Sequence, residues 1–245
     1  MTELIYDNTW EGFLSAVFEA FARKGACVSI CAGRLAKEAS LFPREEIRTD
    51  PEKARRVSAG MARLSRQTPE RVYTVWLSEE RGIDDTLASF LRIGFDEKID
   101  PMGGSFHPAV EKVRGMEKKV GWEAHRMLQF VRFLHTDEGI YVADIRPEYY
   151  VLPLIGAHFH GRFGDQRLLI RDVARRAVLV SDAKEWFIRV SPENEKLPPL
   201  PEDGQFEALW RGYFEAIANP ARKNLKLQQN FVPLKYREFL TEFQG

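Results

Sequence analysis

Between Lys119 and Lys184 the chain has no lysine, and its fixed positive charge there is all arginine. Arginine presents a planar fork that matches phosphate and carboxylate oxygens, and it tolerates partial burial better than lysine. Histidine and glutamine are interleaved with these arginines. His125, Arg126, Gln129 and Arg132 form a first group, and His158, Arg162, Asp165, Gln166 and Asp172 a second. The first group has the types needed for a polar pocket or a phosphate contact. Its alternative is an exposed pair at a helix end, where cations complement the C-terminal dipole. In the second, His158 and Arg162 are four apart and share a helix face. A neutral-range imidazole oriented by Asp165 or Asp172 beside an arginine could act as acid or base. The alternative there is a structural hydrogen-bond network.

Two further clusters bear on anion binding. Arg171, Arg175 and Arg176 flank a turn, as a phosphate track or as a solvated hairpin tip. Near the C-terminus, Arg222, Lys223, Lys226 and Lys235 are interleaved with Phe231 and Tyr236. Cations among aromatics can hold a single strand by charge and stacking. The alternative is amphipathic helices whose rings are core.

Missing motifs narrow the chemistry. The chain has no Walker-type or dinucleotide glycine loop, no nucleophile elbow and no zinc-deaminase signature. His158 and His160 point to different faces of a helix, which is poor zinc geometry. Cys27 and Cys31 lack a third thiol for a cluster. No metal and no cofactor is expected.

These groups need a scaffold. With 245 residues and 44% hydrophobic content the chain can bury a sizeable core. Its formal net charge of zero weighs against a general nucleic-acid coat but leaves room for a local groove. Free thiols, a non-basic N-terminus and no long apolar run point to a cytoplasmic protein away from membranes.

Periodicity predicts a short strand at Leu4–Tyr6, a helix from Trp10 to Arg23 capped by Thr9, and a strand at Cys27–Cys31. Helices opened by Asp50-Pro51, Thr68-Pro69 and Asp84 make residues 1–100 a mainly helical lobe. Ile99–Ser105 is the candidate boundary, and residues 101–245 form an α+β lobe or continue a single domain. In that lobe a helix follows Pro108. A hairpin then pairs the segment Met127–Leu134 with Ile140–Ile145, a helix being the rival reading of the first arm. A helix to Phe163 and strands at Leu168–Val173, Ala177–Ser181 and Trp186–Val190 complete an antiparallel ββαβββ sheet. An extended linker at Leu197–Pro201, an amphipathic helix at Phe206–Ile217 and a last helix near Pro233 close the chain. Alternating βα units are not evident, so the class is α+β and not Rossmann-type.

Tyr6–Phe21 (YDNTWEGFLSAVFEAF), then VGWEAHRMLQFVRF, GIYVADIRP, VLPLIGAHFHGRFGDQRLLIRD, LWRGYFEAIANPARKN and QQNFVPLKYREFLTEF are similar, in order, to segments of one bacterial family. That family is associated with DNA metabolism, and its C-terminal part is known as domain of unknown function 4130. Its members are typically encoded beside a radical-SAM protein of DNA repair or modification, and some are fused to a uracil-DNA-glycosylase-like domain. The resemblance implies an accessory protein that binds DNA, the radical-SAM partner, or both. An enzyme acting on a nucleotide, base or damaged DNA, and a scaffold without nucleic-acid contact, are the other two readings.

Overall fold

The computed structural model describes residues 1–23, 27–36, 41–104, 106–191, 232–240 and 243. The chain divides into two compact units, Met1–Gly121 and Trp122–Gly245.

In the first unit, β1 (Thr2–Tyr6), α1 (Trp10–Ala22), β2 (Val28–Ala32) and β3 (Arg44–Glu46) precede α2 (Pro51–Leu64), α3 (Thr68–Trp76) and α4 (Ile83–Glu97). The strands form a parallel sheet in the order β2-β1-β3. A mainly helical lobe is therefore only part of the picture, because β1–α1–β2 is a parallel crossover unit of the kind the sequence did not reveal. Its third strand is Arg-Glu-Glu, fully exposed, with no apolar alternation to read. Local chemistry sets the helix starts. The Thr9 hydroxyl accepts from the Gly12 N–H at 2.9 Å. The Asp50 carboxylate accepts from the Glu52 and Lys53 N–H groups, with Pro51 at the first helical position. Leu4, Phe13, Val17, Met61, Val72, Leu87, Phe90 and Leu91 are fully buried and make this unit's core. The stretch 99–105 holds a 3-10 turn at Pro101–Gly103, capped by the Asp100 carboxylate.

Helix α5 (Pro108–Phe130) crosses from the first unit into the second. The second unit continues with β4 (Leu134–His135), β5 (Ile140–Ile145), α6 (Leu152–Phe163), β6 (Arg167–Asp172), β7 (Ala177–Ser181) and β8 (Trp186–Val190). The fold class is α+β. The five-stranded sheet runs β4-β5-β6-β7-β8 and is mixed, not antiparallel throughout, because β5 and β6 pair in parallel across α6. The α6 crossover requires this: a chain that leaves the top of one strand and returns through a helix enters the next in the same direction. Met127, Ile145, Val151, Leu152, Ile155, Phe159, Leu168, Ile170, Leu179 and Tyr236 form the core between α5, α6 and the sheet.

Two expected elements change. Met127–Phe130 is the last turn of α5, which shortens the hairpin's first arm to Leu134–His135. The segment Met127–Val131 is apolar at every position but Gln129, so periods of 2 and 3.6 fit it about equally well. Extending an existing helix adds one hydrogen bond per residue without a new nucleation step, and helix wins. The final helix is a 3-10 segment, Leu234–Phe239. The linker at 197–201 and the helix at 206–217 lie outside the described residues.

Candidate nucleic-acid interface

Because α5 continues through Phe130, His125 and Gln129 sit one turn apart on an exposed face. Their side-chain nitrogens, Nε2 of each, are 3.0 Å apart. Arg132 lies just past the helix and its Nη1 donates to the Gln129 carbonyl at 2.8 Å. It thereby serves one of the last-turn carbonyls that have no partner inside a helix. The helix thus joins His125, Gln129 and Arg132. Arg126 turns elsewhere, with its guanidinium carbon 5.9 Å from the Tyr236 ring centre.

Phe133 follows Arg132 and starts a run of ring contacts. It meets Phe159 at 5.4 Å and Phe163 at 4.6 Å between centroids. Phe163 meets Tyr141 at 5.0 Å, and Tyr141 meets His135 at 4.8 Å. Phe159 is buried, Phe133, Tyr141 and Phe163 are half-buried, and His135 is exposed. The ladder therefore climbs from the core to the surface on three elements: the α5–β4 connection, the β4–β5 hairpin and the end of α6.

Basic groups border it. Arg162 is exposed beside Phe163, and His158 is exposed one turn earlier on the same face of α6. Arg167, at the start of β6, donates to the Glu138 carbonyl of the hairpin turn at 2.8 Å. Asp165 and Gln166 are exposed in the tight turn after α6, where the Gln166 N–H bonds the Phe163 carbonyl.

Asp172 does not join this surface. It is fully buried at the end of β6. Its carboxylate accepts from the Ala174 and Arg175 N–H groups and from Arg175 Nη1 at 3.1 Å. Burial pushes its carboxyl above the ordinary range, and Arg175 opposes that. Asp172 thus holds the β6–β7 turn. Arg175 is half-buried on the same turn, and Arg171 is buried as the partner of Asp144 across β5 and β6, with a second contact at 2.7 Å. His160 faces inward instead of pairing with His158, and its Nδ1 lies 2.8 Å from the Ser181 hydroxyl. Among the described residues no cluster of three or more His, Cys, Asp or Glu side chains could hold a metal, and no helix is long and apolar enough to cross a membrane.

The model of one family, a domain of unknown function, matches residues 81–242. The chain belongs to the DUF4130 family. The matched region contains every candidate residue named above and begins just ahead of α4. No curated protein and no solved structure matches the chain.

At the C-terminal edge of the DUF4130 region, Lys235 and Tyr236 are tied to α5 and its neighbours. Tyr236 is buried, and its hydroxyl donates to the Glu123 carboxylate. Lys235 Nζ reaches Glu148 at 2.8 Å and Glu123 at 3.3 Å. The Glu148 N–H bonds the other Glu123 oxygen at 2.8 Å. Burial, reinforced by Glu123, pushes the Tyr236 phenol up. At Tyr236 the aromatic is core, as the alternative reading had it. Arg222, Lys223 and Lys226 lie outside the described residues.

Glu123 is the residue sequence reasoning missed. It is buried, at 3% exposure, in the stripe that also carries Val113, Met116, Val120 and Met127. A lone carboxylate at core spacing in a long helix was the available signal, since buried acids need partners. The aromatic ladder left a weaker trace, because its rings come from three separate segments.

Proposed function

We propose that this DUF4130 protein is a DNA-metabolism accessory protein that contacts single-stranded nucleic acid through its second unit and works in the cytoplasm beside a radical-SAM partner. The observation that carries the nucleic-acid part is the surface end of the ring ladder, Phe163–Tyr141–His135, bordered by Arg132, Arg162 and Arg167. Half-exposed rings offer edges and faces on which bases stack, and arginines nearby meet phosphate. Asp137, Glu138 and Asp165 stand on the same loops and moderate the local field, consistent with modest affinity for a chain of zero net charge. The partner is carried by the family resemblance.

The acid/base reading has less support. His125 and His158 are both exposed, and Asp172 is engaged with its own turn. Fluorescent single- and double-stranded oligonucleotides titrated across a salt series test the proposal, with and without the radical-SAM protein. Tyr141→Ala should weaken single-strand binding by roughly 5- to 150-fold, the range of about 1–3 kcal/mol per stacked base. Arg162→Ala should lower the salt slope by about 1. Binding that is absent, insensitive to salt, or unchanged in both variants would refute it.

A further inference from the structure

Strand β8 closes one edge of the five-stranded sheet, and among the described residues no strand pairs with its outer side. The β7–β8 ladder decides which backbone groups that edge offers. The Asp182 N–H bonds the Glu185 carbonyl at 3.1 Å at the hairpin turn, and the Ser191 N–H bonds the Arg176 carbonyl at 2.8 Å at the far end. Hydrogen-bonded pairs recur at every second residue of an antiparallel ladder. Phe187 and Arg189 therefore turn their N–H and C=O groups toward Val180 and Val178 of β7, whereas Trp186, Ile188 and Val190 turn theirs outward. An outward row of this kind is a template for a further strand, and proteins commonly blunt it with proline, lysine or a bulge. Residues 186–190 carry neither proline nor lysine, and their register with β7 runs without a bulge. Large apolar side chains on this edge meet solvent: Phe187 is 52% exposed and Val190 67%.

The side chains of this edge are complementary to themselves. Glu185, Phe187 and Arg189 alternate onto one face of the sheet, and all three are exposed. Glu-x-Phe-x-Arg read backwards is Arg-x-Phe-x-Glu. An antiparallel copy centred on Phe187 thus sets each Glu185 opposite the other copy's Arg189, with the two Phe187 rings facing each other between them. Opposite charges and aromatic pairs in these directly opposed positions are favourable. In the same register Trp186 lies opposite the other copy's Ile188, and these are the residues whose free backbone groups can exchange both bonds. Other registers are poorer. Centring on Ile188 sets Glu185 against Ser191, and centring on Arg189 sets two guanidiniums against each other.

We infer that two copies of this chain associate through β8, antiparallel about a two-fold axis at Phe187, which joins their two five-stranded sheets into one continuous sheet. The interface is isologous, the same patch meeting itself. A strand of another protein would find the same backbone groups, but the charge order Glu185–Phe187–Arg189 matches its own reverse. A formal net charge of zero also leaves no general repulsion between copies. One strand edge is a small interface, so the pair is transient, with a dissociation constant on the order of tens to hundreds of micromolar. The β8 edge lies across the sheet from β4, so pairing is independent of the ring ladder and the nucleic-acid reading.

Sedimentation equilibrium of the full chain across roughly 5–500 µM, a range that spans weak interfaces, tests the inference. The mean mass should climb from 28.3 kDa toward twice that value. Glu185→Arg and Arg189→Glu should each weaken self-association by roughly tenfold or more, because each sets like charges opposite one another on both sides of the axis. An equimolar mixture of these two variants should regain association, since every facing pair between them is again of opposite charge. The double variant Glu185→Arg, Arg189→Glu should regain it as well. Phe187→Lys places two ammonium groups at the axis and should abolish it. Tyr141→Ala, in the ladder, should leave it unchanged. The positions substituted on β8 and its turn are exposed, so the fold should be kept, and circular dichroism checks this. Self-association unchanged in both charge variants, or a mixture and a double variant no more associated than the single variants, would overturn the inference. So would a wild type that stays monomeric throughout, which would leave the edge to a strand of another protein.

Discussion

Asp84 gives the sharpest test of how this chain manages buried charge. It opens α4 at 4% exposure. Its carboxylate accepts from the Tyr6 hydroxyl at 3.1 Å and from the Ala32 N–H at 3.2 Å. The same hydroxyl accepts from Trp76 Nε1 at 2.9 Å. Burial outweighs these two hydrogen bonds and pushes the carboxyl up to about 6, from an ordinary 3.8. A group whose folded pKa lies above its unfolded one binds a proton more tightly in the folded state. Stability from Asp84 therefore rises as pH falls through about 6 and levels off below the unfolded value. At about 1.4 kcal/mol per pKa unit, the ionised carboxylate costs the fold roughly 3 kcal/mol above pH 7, and about 2 kcal/mol of that is recovered by pH 4.5. Urea denaturation of wild type and Asp84→Asn at pH 7.5 and 4.5 measures this. Asp7, Glu45, Asp50 and Asp182 are held below the ordinary carboxylate range and act with the opposite sign, so the informative quantity is the difference between the proteins. Wild type should gain about 2 kcal/mol more than the variant on acidification, a midpoint shift of roughly 1 M urea. Equal pH dependence in the two proteins would refute the argument.

Two glycines of α6 should respond in opposite directions. A Cβ at Gly156 would stand 2.4 Å from the rigid Trp186 ring, so Gly156→Ala should destabilise by about 1–3 kcal/mol despite alanine's better helix propensity. At Gly161 nothing lies within 4 Å of an added Cβ, so Gly161→Ala should stabilise by about 0.5–1 kcal/mol; scanning calorimetry giving both changes the same sign would contradict the packing described. Tyr236→Phe removes the phenol that serves buried Glu123 and should cost about 1–3 kcal/mol, with a coupling to Glu123→Gln in a double-mutant cycle; additive effects would show the contact to be incidental.

Residue order by itself determined the amphipathic helices, their caps and most strands. Thr9, Asp50-Pro51 and the apolar 3.6-residue stripes act within a few residues, and that is the range over which capping and periodicity operate. It also marked the block from His125 to Asp172 as polar and arginine-rich. It left open whether Met127–Phe130 is helix or strand, because a nearly continuous apolar run fits both. Only the tertiary structure decided that, and with it the neighbourhood of each candidate. The parallel pairing of β5 with β6 set half-buried Asp144 against buried Arg171, and Asp172 was spent on its own turn. Glu123 met Tyr236 across 113 positions, and the ring ladder was assembled from three segments. Such contacts depend on where distant elements pack. Spacing along the chain carries no information about that until the hydrophobic faces have found one another.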